Sequence, residues 1–176
     1  TNYMRSKTIA EQAAWDAIGQ QTRTRLVTIL PGAIFGPFMA GRRSSTDLLF
    51  TTILNGTPSP KATYQVVDVR DLADLHLLAM TDERADGQRF LAQPGEITMP
   101  AMARLLKARL GEAGHRISTL TIPDLVIRTG ARFNSALAVM NTLIGMKHRH
   151  NTTKAQRLLG WTPRPVEQTV IDAAQY

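Results

Sequence analysis

Arg25-Leu26-Val27-Thr28-Ile29-Leu30-Pro31-Gly32 is the stretch that decides the fold class. The segment from Arg25 to Leu30 is short, β-branched and apolar almost throughout, the pattern of a strand buried on both faces. Pro31-Gly32 stops it, and Gly36-Pro37 continues an irregular loop. A strand covered on both faces belongs to an α/β arrangement, in which helices alternate with strands.

The flanking sequence supplies those helices. Upstream, Tyr3 to Ile18 reads as a helix whose Ala10, Ala13, Ala14 and Ala17 offer a face for close packing, with Gly19 placed to end it. Downstream, a helix is expected from Thr46, as N-cap, to Leu54, ended by Asn55-Gly56. Tyr64 to Val67 reads as a strand, and Asp68 caps a helix reaching about Met80 with Asp71 in its first turn. Gln88 to Ala92 is another strand, and Thr98 to Leu110 a helix closed by Gly111. Pro123 opens a long helix to about Gly145, Asn151 caps a short helix ended by Gly160, and Val166 to Ala174 forms the last. Three strands against six or seven helices are too few for a self-contained doubly wound sheet.

Composition narrows the function. At 176 residues and 43% hydrophobic content the chain can bury a core of its own, and it has no cysteine for a disulfide or thiolate metal site. No basic-then-apolar leader opens it. The apolar stretch from Ile122 to Met146 carries Asp124, Arg128, Arg132 and Asn134, whereas a bilayer span needs about 20 predominantly apolar residues. A cytoplasmic protein without a membrane segment fits these features. The net charge of +7 is scattered, and its one dense cluster, Lys147-His148-Arg149-His150, lacks interleaved aromatics, so nucleic acid is not the expected partner. His76, His115, His148 and His150 lack the converging third ligand of a metal site, and none is expected. Met80, Met99, Met102, Met140 and Met146 read as core filling.

The residues with chemistry stand at the start. Tyr3 and Lys7, spaced i, i+4, share a helix face. A phenol exchanges protons poorly at neutral pH, and a neighbouring ammonium stabilises its anion. Such a pair can protonate a carbonyl oxygen as hydride arrives, or deprotonate an alcohol in the reverse direction.

The motifs downstream of the pair give it weight. Tyr3-Met4-Arg5-Ser6-Lys7-Thr8-Ile9-Ala10-Glu11 is followed by the strand, then by Leu30-Pro31-Gly32-Ala33-Ile34-Phe35-Gly36-Pro37. Leu54-Asn55-Gly56, Val67-Asp68-Val69-Arg70-Asp71-Leu72-Ala73-Asp74, and the segment Lys154-Ala155 to Leu158-Leu159-Gly160-Trp161-Thr162-Pro163 come after, in that order. This colinear set resembles the extended short-chain dehydrogenases of the dihydroflavonol reductase and cinnamoyl-CoA reductase type.

The resemblance implies the C-terminal part of a Rossmann-type doubly wound α/β fold, with a mostly helical substrate-binding region. Residues 1–37 would hold the catalytic helix, strand and Pro-Gly loop, and residues 38–176 mainly the substrate region with returning Rossmann segments. It implies Tyr3 as acid/base and Lys7 as the ammonium that stabilises the phenolate and binds the nicotinamide ribose. The backbone of Pro31, Gly32, Ala33 and Ile34 would lie against the nicotinamide carboxamide, and Thr46 would cap a helix beside the cofactor, NADP or NAD. Asp68, Arg70 and Asp71 are assigned to capping and pairing between segments. The family's Gly-x-x-Gly-x-x-Gly run does not occur in the sequence, nor does its catalytic Ser or Thr upstream of the Tyr, so the Gly-rich N-terminal half is expected to be absent. The implied partner is a small-molecule carbonyl or alcohol, and a homodimer is one way to cover the strand from Leu26 to Leu30. Two other functions fit the same residues: a sugar-nucleotide epimerase or dehydratase, and a cofactor-binding regulatory protein without turnover.

Overall fold

The strand that decides the fold class runs, in the computed structural model, from Thr28 to Pro31 (β1). The structure describes residues 2–37, 45–134, 137–138, 141–142, 144–145 and 151–175. Lys147 to His150, Met140 and Met146 lie outside them. Before β1 comes α1 (Asn2–Ile18). After it come β2 (Ala33–Phe35), α2 (Ser45–Leu54), β3 (Ser59–Pro60), β4 (Thr63–Asp68) and α3 (Val69–Thr81). The chain continues through β5 (Arg89–Ala92), β6 (Gly95–Thr98), α4 (Met99–Arg109), β7 (Thr121–Ile122) and α5 (Asp124–Gly130), then α6 (Lys154–Leu159) and α7 (Val166–Ala174).

Among the described residues the strands form three small sheets. β1 pairs with β5 in parallel, β2 pairs with β4 in parallel while β6 joins β4 antiparallel, and β3 pairs with β7 in parallel. Among the described residues β1 has one ladder neighbour, β5. The sequence pattern leads to a loop at 33–37 and to no strand at 95–98. Both strands are short, and Gly32, Gly36 and Gly95 punctuate them, so no periodicity marks them.

Among the described residues two apolar clusters hold these pieces. Phe35, Phe50, Val66, Met99, Met102, Leu106 and Val170 bring the β2–β4–β6 sheet together with α2, α4 and α7, and Phe35 meets Phe50 edge-on at 5.2 Å. Val67, Leu72, Leu75, Phe90, Ala92 and Trp161 pack α3 and α6 onto β5. Met99 and Met102 are core residues as expected, but Met80 is 81% exposed, because it extends the outward stripe of Val69, Ala73 and Leu77 on α3.

Other helix expectations need correction. The alanine face of α1 is not buried. Glu11, Ala14, Trp15 and Ile18 form its half-buried stripe, while Ala10, Ala13 and Ala17 point outward. The helix opened at Pro123 breaks after Gly130, where Leu137 donates its amide to the Asn134 side chain; residues 137–138 and 141–142 are helical again, and 135–136, 139–140 and 143 lie outside the described residues. Glycine is a poor helix former, and an Asn side chain competes for backbone groups. α6 begins at Lys154 with Thr153 as cap residue, and Asn151 stands two residues before the cap, accepting from the Thr153 amide at 3.1 Å.

Candidate active site

α1 carries Tyr3, Lys7 and Glu11 one above another at i, i+4, i+8. The Lys7 ammonium lies 5.7 Å from the centre of the Tyr3 ring, and Tyr3 is 66% exposed, so the phenol is open to a ligand. Glu11 fixes the helix to the sheet. It accepts from Thr28 Oγ1 at 2.9 Å and from Arg89 Nε at 2.7 Å, and Thr28 and Arg89 are ladder partners at the start of β1 and β5. The hydrogen bond from Arg89 holds the Glu11 carboxyl below its ordinary value, against partial burial.

The Pro31–Ile34 segment joins β1 to β2 without a break in pairing. Gly32 donates its amide to Ala92 O at 3.2 Å, and Ala33 registers with Val66. A Cβ on Gly32 would collide with the Gln65 backbone carbonyl, so only glycine lets the chain pass this close to β4. Gly36, at φ +114°, closes the segment against the Asp68 side chain. Pro31 is exposed and Ile34 is 37% exposed, leaving the outer side of the turn accessible.

Thr46 departs from its expected role. α2 already begins at Ser45, and the Thr46 hydroxyl donates to Ile34 O at 3.3 Å. It ties the helix to the Pro-Gly turn. The structure thus joins Tyr3 with Lys7, and Thr46 with Ile34; Glu11 bonded to Thr28 links α1 to the strand that feeds the turn.

Behind the turn lies an ionic clasp whose members the sequence assigns to capping and pairing. Asp68, fully buried, caps α3 through the Arg70 amide and takes the Arg70 guanidinium on both oxygens at 2.9 and 2.7 Å. Arg70 reaches on to Asp172 of α7 at 2.5 Å. Burial alone would raise the Asp68 carboxyl, but hydrogen bonds from Arg70 and Thr169 outweigh it and hold it below its ordinary value. Asp172 is held down by Arg70, whose guanidinium is pushed up in turn by Asp68 and Asp172. Asp71 pairs with Arg164 and accepts its amide at 2.7 Å, while its own carbonyl takes the Trp161 indole N–H at 2.8 Å. Burial nonetheless leaves Asp71 above its ordinary value, so desolvation prevails over the pull of Arg164.

Sequence reasoning missed Gln93, the residue after β5. Its Oε1 is enclosed and has no hydrogen-bond partner among the described residues. A lone Gln after a short strand carries no sequence signal of that kind. Among the described residues no cluster of His and carboxylates could hold a metal, and no helix is long and apolar enough to cross a membrane.

No protein-family model matches the chain. Individual proteins do. Cinnamoyl-CoA reductase CAD2 of Medicago truncatula is 32% identical over 92 residues, 52% of this chain and 28% of that protein. The NADPH-dependent methylglyoxal reductase of Saccharomyces cerevisiae is 25% identical over 183 residues, 98% of this chain and 49% of that protein. The crystal structure of Gre2 in complex with NADPH from Candida albicans superposes with a TM-score of 0.72 at 27% identity, covering 97% of this chain and 49% of that one. The chain belongs to the extended short-chain dehydrogenase/reductase family. Its parallel strands and helices are half of the Rossmann-type fold of these reductases. The chain spans about half the length of the solved family member and less than half of the curated ones.

Proposed function

We propose that the protein is an NADPH-dependent reductase of small-molecule aldehydes or ketones, with Tyr3 as proton donor and Lys7 as its supporting cation. The observation that carries this reading is the Lys7 ammonium 5.7 Å from the Tyr3 ring, on a helix tethered to the β1–β5 pair through Glu11. Counting back from Glu11, Tyr3 stands about 12 Å along the helix axis. Counting forward from Thr28, Pro31 stands about 10 Å along the strand. If α1 runs antiparallel to the strand it precedes, as helices in α/β units do, Tyr3 and Lys7 come level with the Pro31–Ile34 turn, beyond the carboxyl ends of two parallel strands. Open α/β sheets bind their ligands there.

The residues present fit a nicotinamide at this place. Gly32 lets the turn lie flat on β4, Pro31 and Ile34 face outward, and Thr46 fixes the Ile34 carbonyl. Bound NADPH supplies hydride to the carbonyl carbon. Tyr3 donates its phenolic proton to the carbonyl oxygen, and Lys7 stabilises the phenolate left behind while hydrogen-bonding the ribose. Relatives named as NADPH-dependent methylglyoxal reductase and cinnamoyl-CoA reductase support the cofactor and the carbonyl chemistry.

The test is nicotinamide absorbance at 340 nm in the full-length protein, with a panel of aldehydes, ketones and sugar nucleotides. A reductase consumes NADPH in step with product, whereas an epimerase shows no net consumption. Tyr3→Phe should lower kcat by about 10²–10⁴-fold with cofactor affinity little changed. Full activity in that variant would remove Tyr3 from the chemistry.

A further inference from the structure

Carrying the alternation of β5 one residue past its end places Gln93 on the α1 side of the sheet. Phe90 and Ala92 are buried in the cluster under α3, while Arg89 turns the other way to meet Glu11 of α1, and Gln93 has the parity of Arg89. The backbone places it beside the turn. Pro31 registers with Ala92, and Gly32 donates to Ala92 O at 3.2 Å, so Gln93 comes directly after, at the carboxyl end of the parallel pair. Its Oε1 is enclosed without a hydrogen-bond partner among the described residues, a state that folded proteins rarely leave unexplained away from functional sites. Ser59 Oγ and Asp124 Oδ1 share that state, but they belong to β3 and the start of α5, not to this end of β1 and β5.

An enclosed, neutral amide oxygen at this place calls for an N–H donor that arrives with the ligand. We infer that Gln93 accepts a hydrogen bond from the carboxamide N–H of the nicotinamide, fixing which face of the ring is turned toward the Tyr3 side. The assignment rests on the proposed cofactor reading. It makes Gln93 a cofactor-binding residue in addition to the Pro31–Ile34 turn that Thr46 holds in place.

Binding of two dinucleotides to the full-length protein tests it, read by calorimetry and independent of turnover. NADP⁺ and its 3-acetylpyridine analogue differ by an amino group against a methyl, so only the first offers the N–H. The unmodified protein should bind NADP⁺ about tenfold more tightly than the analogue, the worth of one hydrogen bond. Gln93→Leu removes the acceptor at similar volume and should bring that ratio to about one, with Gln93→Met as a second variant if the first does not fold. Gln93→Glu keeps an acceptor oxygen and should keep the preference. A preference for NADP⁺ that survives in Gln93→Leu or Gln93→Met overturns the assignment alone. An unmodified protein that binds neither dinucleotide overturns the cofactor reading, and this assignment with it.

Discussion

Gly32 and Arg70 show how single residues hold the turn on which the proposed site depends. At Gly32 the constraint is contact, since an added Cβ would meet the Gln65 carbonyl, which belongs to a paired strand and cannot swing aside. Gly32→Ala should therefore destabilise the protein by about 1–3 kcal/mol, the usual cost of overpacking, seen as a lower urea midpoint at unchanged m-value. Cofactor affinity should fall further than stability predicts if the turn bears the nicotinamide. At Arg70 the constraint is charge. Removing it leaves Asp68 buried with its amide and Thr169 contacts but no cation, so Arg70→Ala should cost roughly 2–4 kcal/mol. Arg70→Lys should recover only part of that, because a single ammonium cannot bridge Asp68 and Asp172 with the fixed fork of a guanidinium. Chemical denaturation of the two variants would show the difference.

At the scale of elements, the sequence marks what local physics controls. α3 is legible because Asp68 is a cap and Leu72, Leu75 and Ala79 make one buried face, and α4 because Thr98 caps it, accepting from the Ala101 amide. β1 and β4 are legible from their β-branched residues, and β5 as the short apolar run Phe90-Leu91-Ala92. β2, β3 and β7 are two or three residues long and exist because a distant strand pairs with them, which no local pattern records. The candidate site divides the same way. Tyr3 and Lys7 are neighbours through helix geometry alone, whereas the Thr46 bond to Ile34 and the enclosed Gln93 oxygen depend on chain brought together from far apart. The ties between elements also set a response to acid. Asp68, Asp172 and Glu11 are held below their ordinary values, so each contributes stability that is present above its unfolded pKa and lost as pH falls through its lowered folded value. Asp71, held above its ordinary value, acts in the opposite sense and is relieved by protonation. With Asp82, held down in the same way by Arg84, four losses against one gain predict that unfolding free energy declines below about pH 4, where free Asp and Glu titrate. Asp172→Asn should make that decline shallower while lowering stability at neutral pH. A pH series of urea titrations checks both.

For the whole molecule, the question is how much of a cofactor site this chain of 176 residues holds by itself. Its contribution lies at one end of the cofactor: the Tyr3–Lys7 pair, the Pro31–Ile34 turn and Gln93 all belong to the proposed nicotinamide side. The phosphates of a dinucleotide are held elsewhere in Rossmann folds, by backbone N–H groups of a Gly-rich turn at a helix N-terminus. The sequence contains no Gly-x-x-Gly-x-x-Gly run to make that turn. The described surface points the same way. α1 has no buried residue, Met4 and Ile9 are more than half exposed, and β1 has one ladder neighbour among the described residues. Apolar area of this kind favours association. Expressed alone, the chain should self-associate in sedimentation velocity, and its NADPH affinity in calorimetry should be millimolar or weaker. The ribose, carboxamide and ring contacts would still be there, but the charged phosphates would have only scattered cations to meet. Micromolar binding by the isolated chain would mean that another group within these residues takes the phosphates, and the division of the cofactor site between the two halves of the fold would have to be redrawn around it.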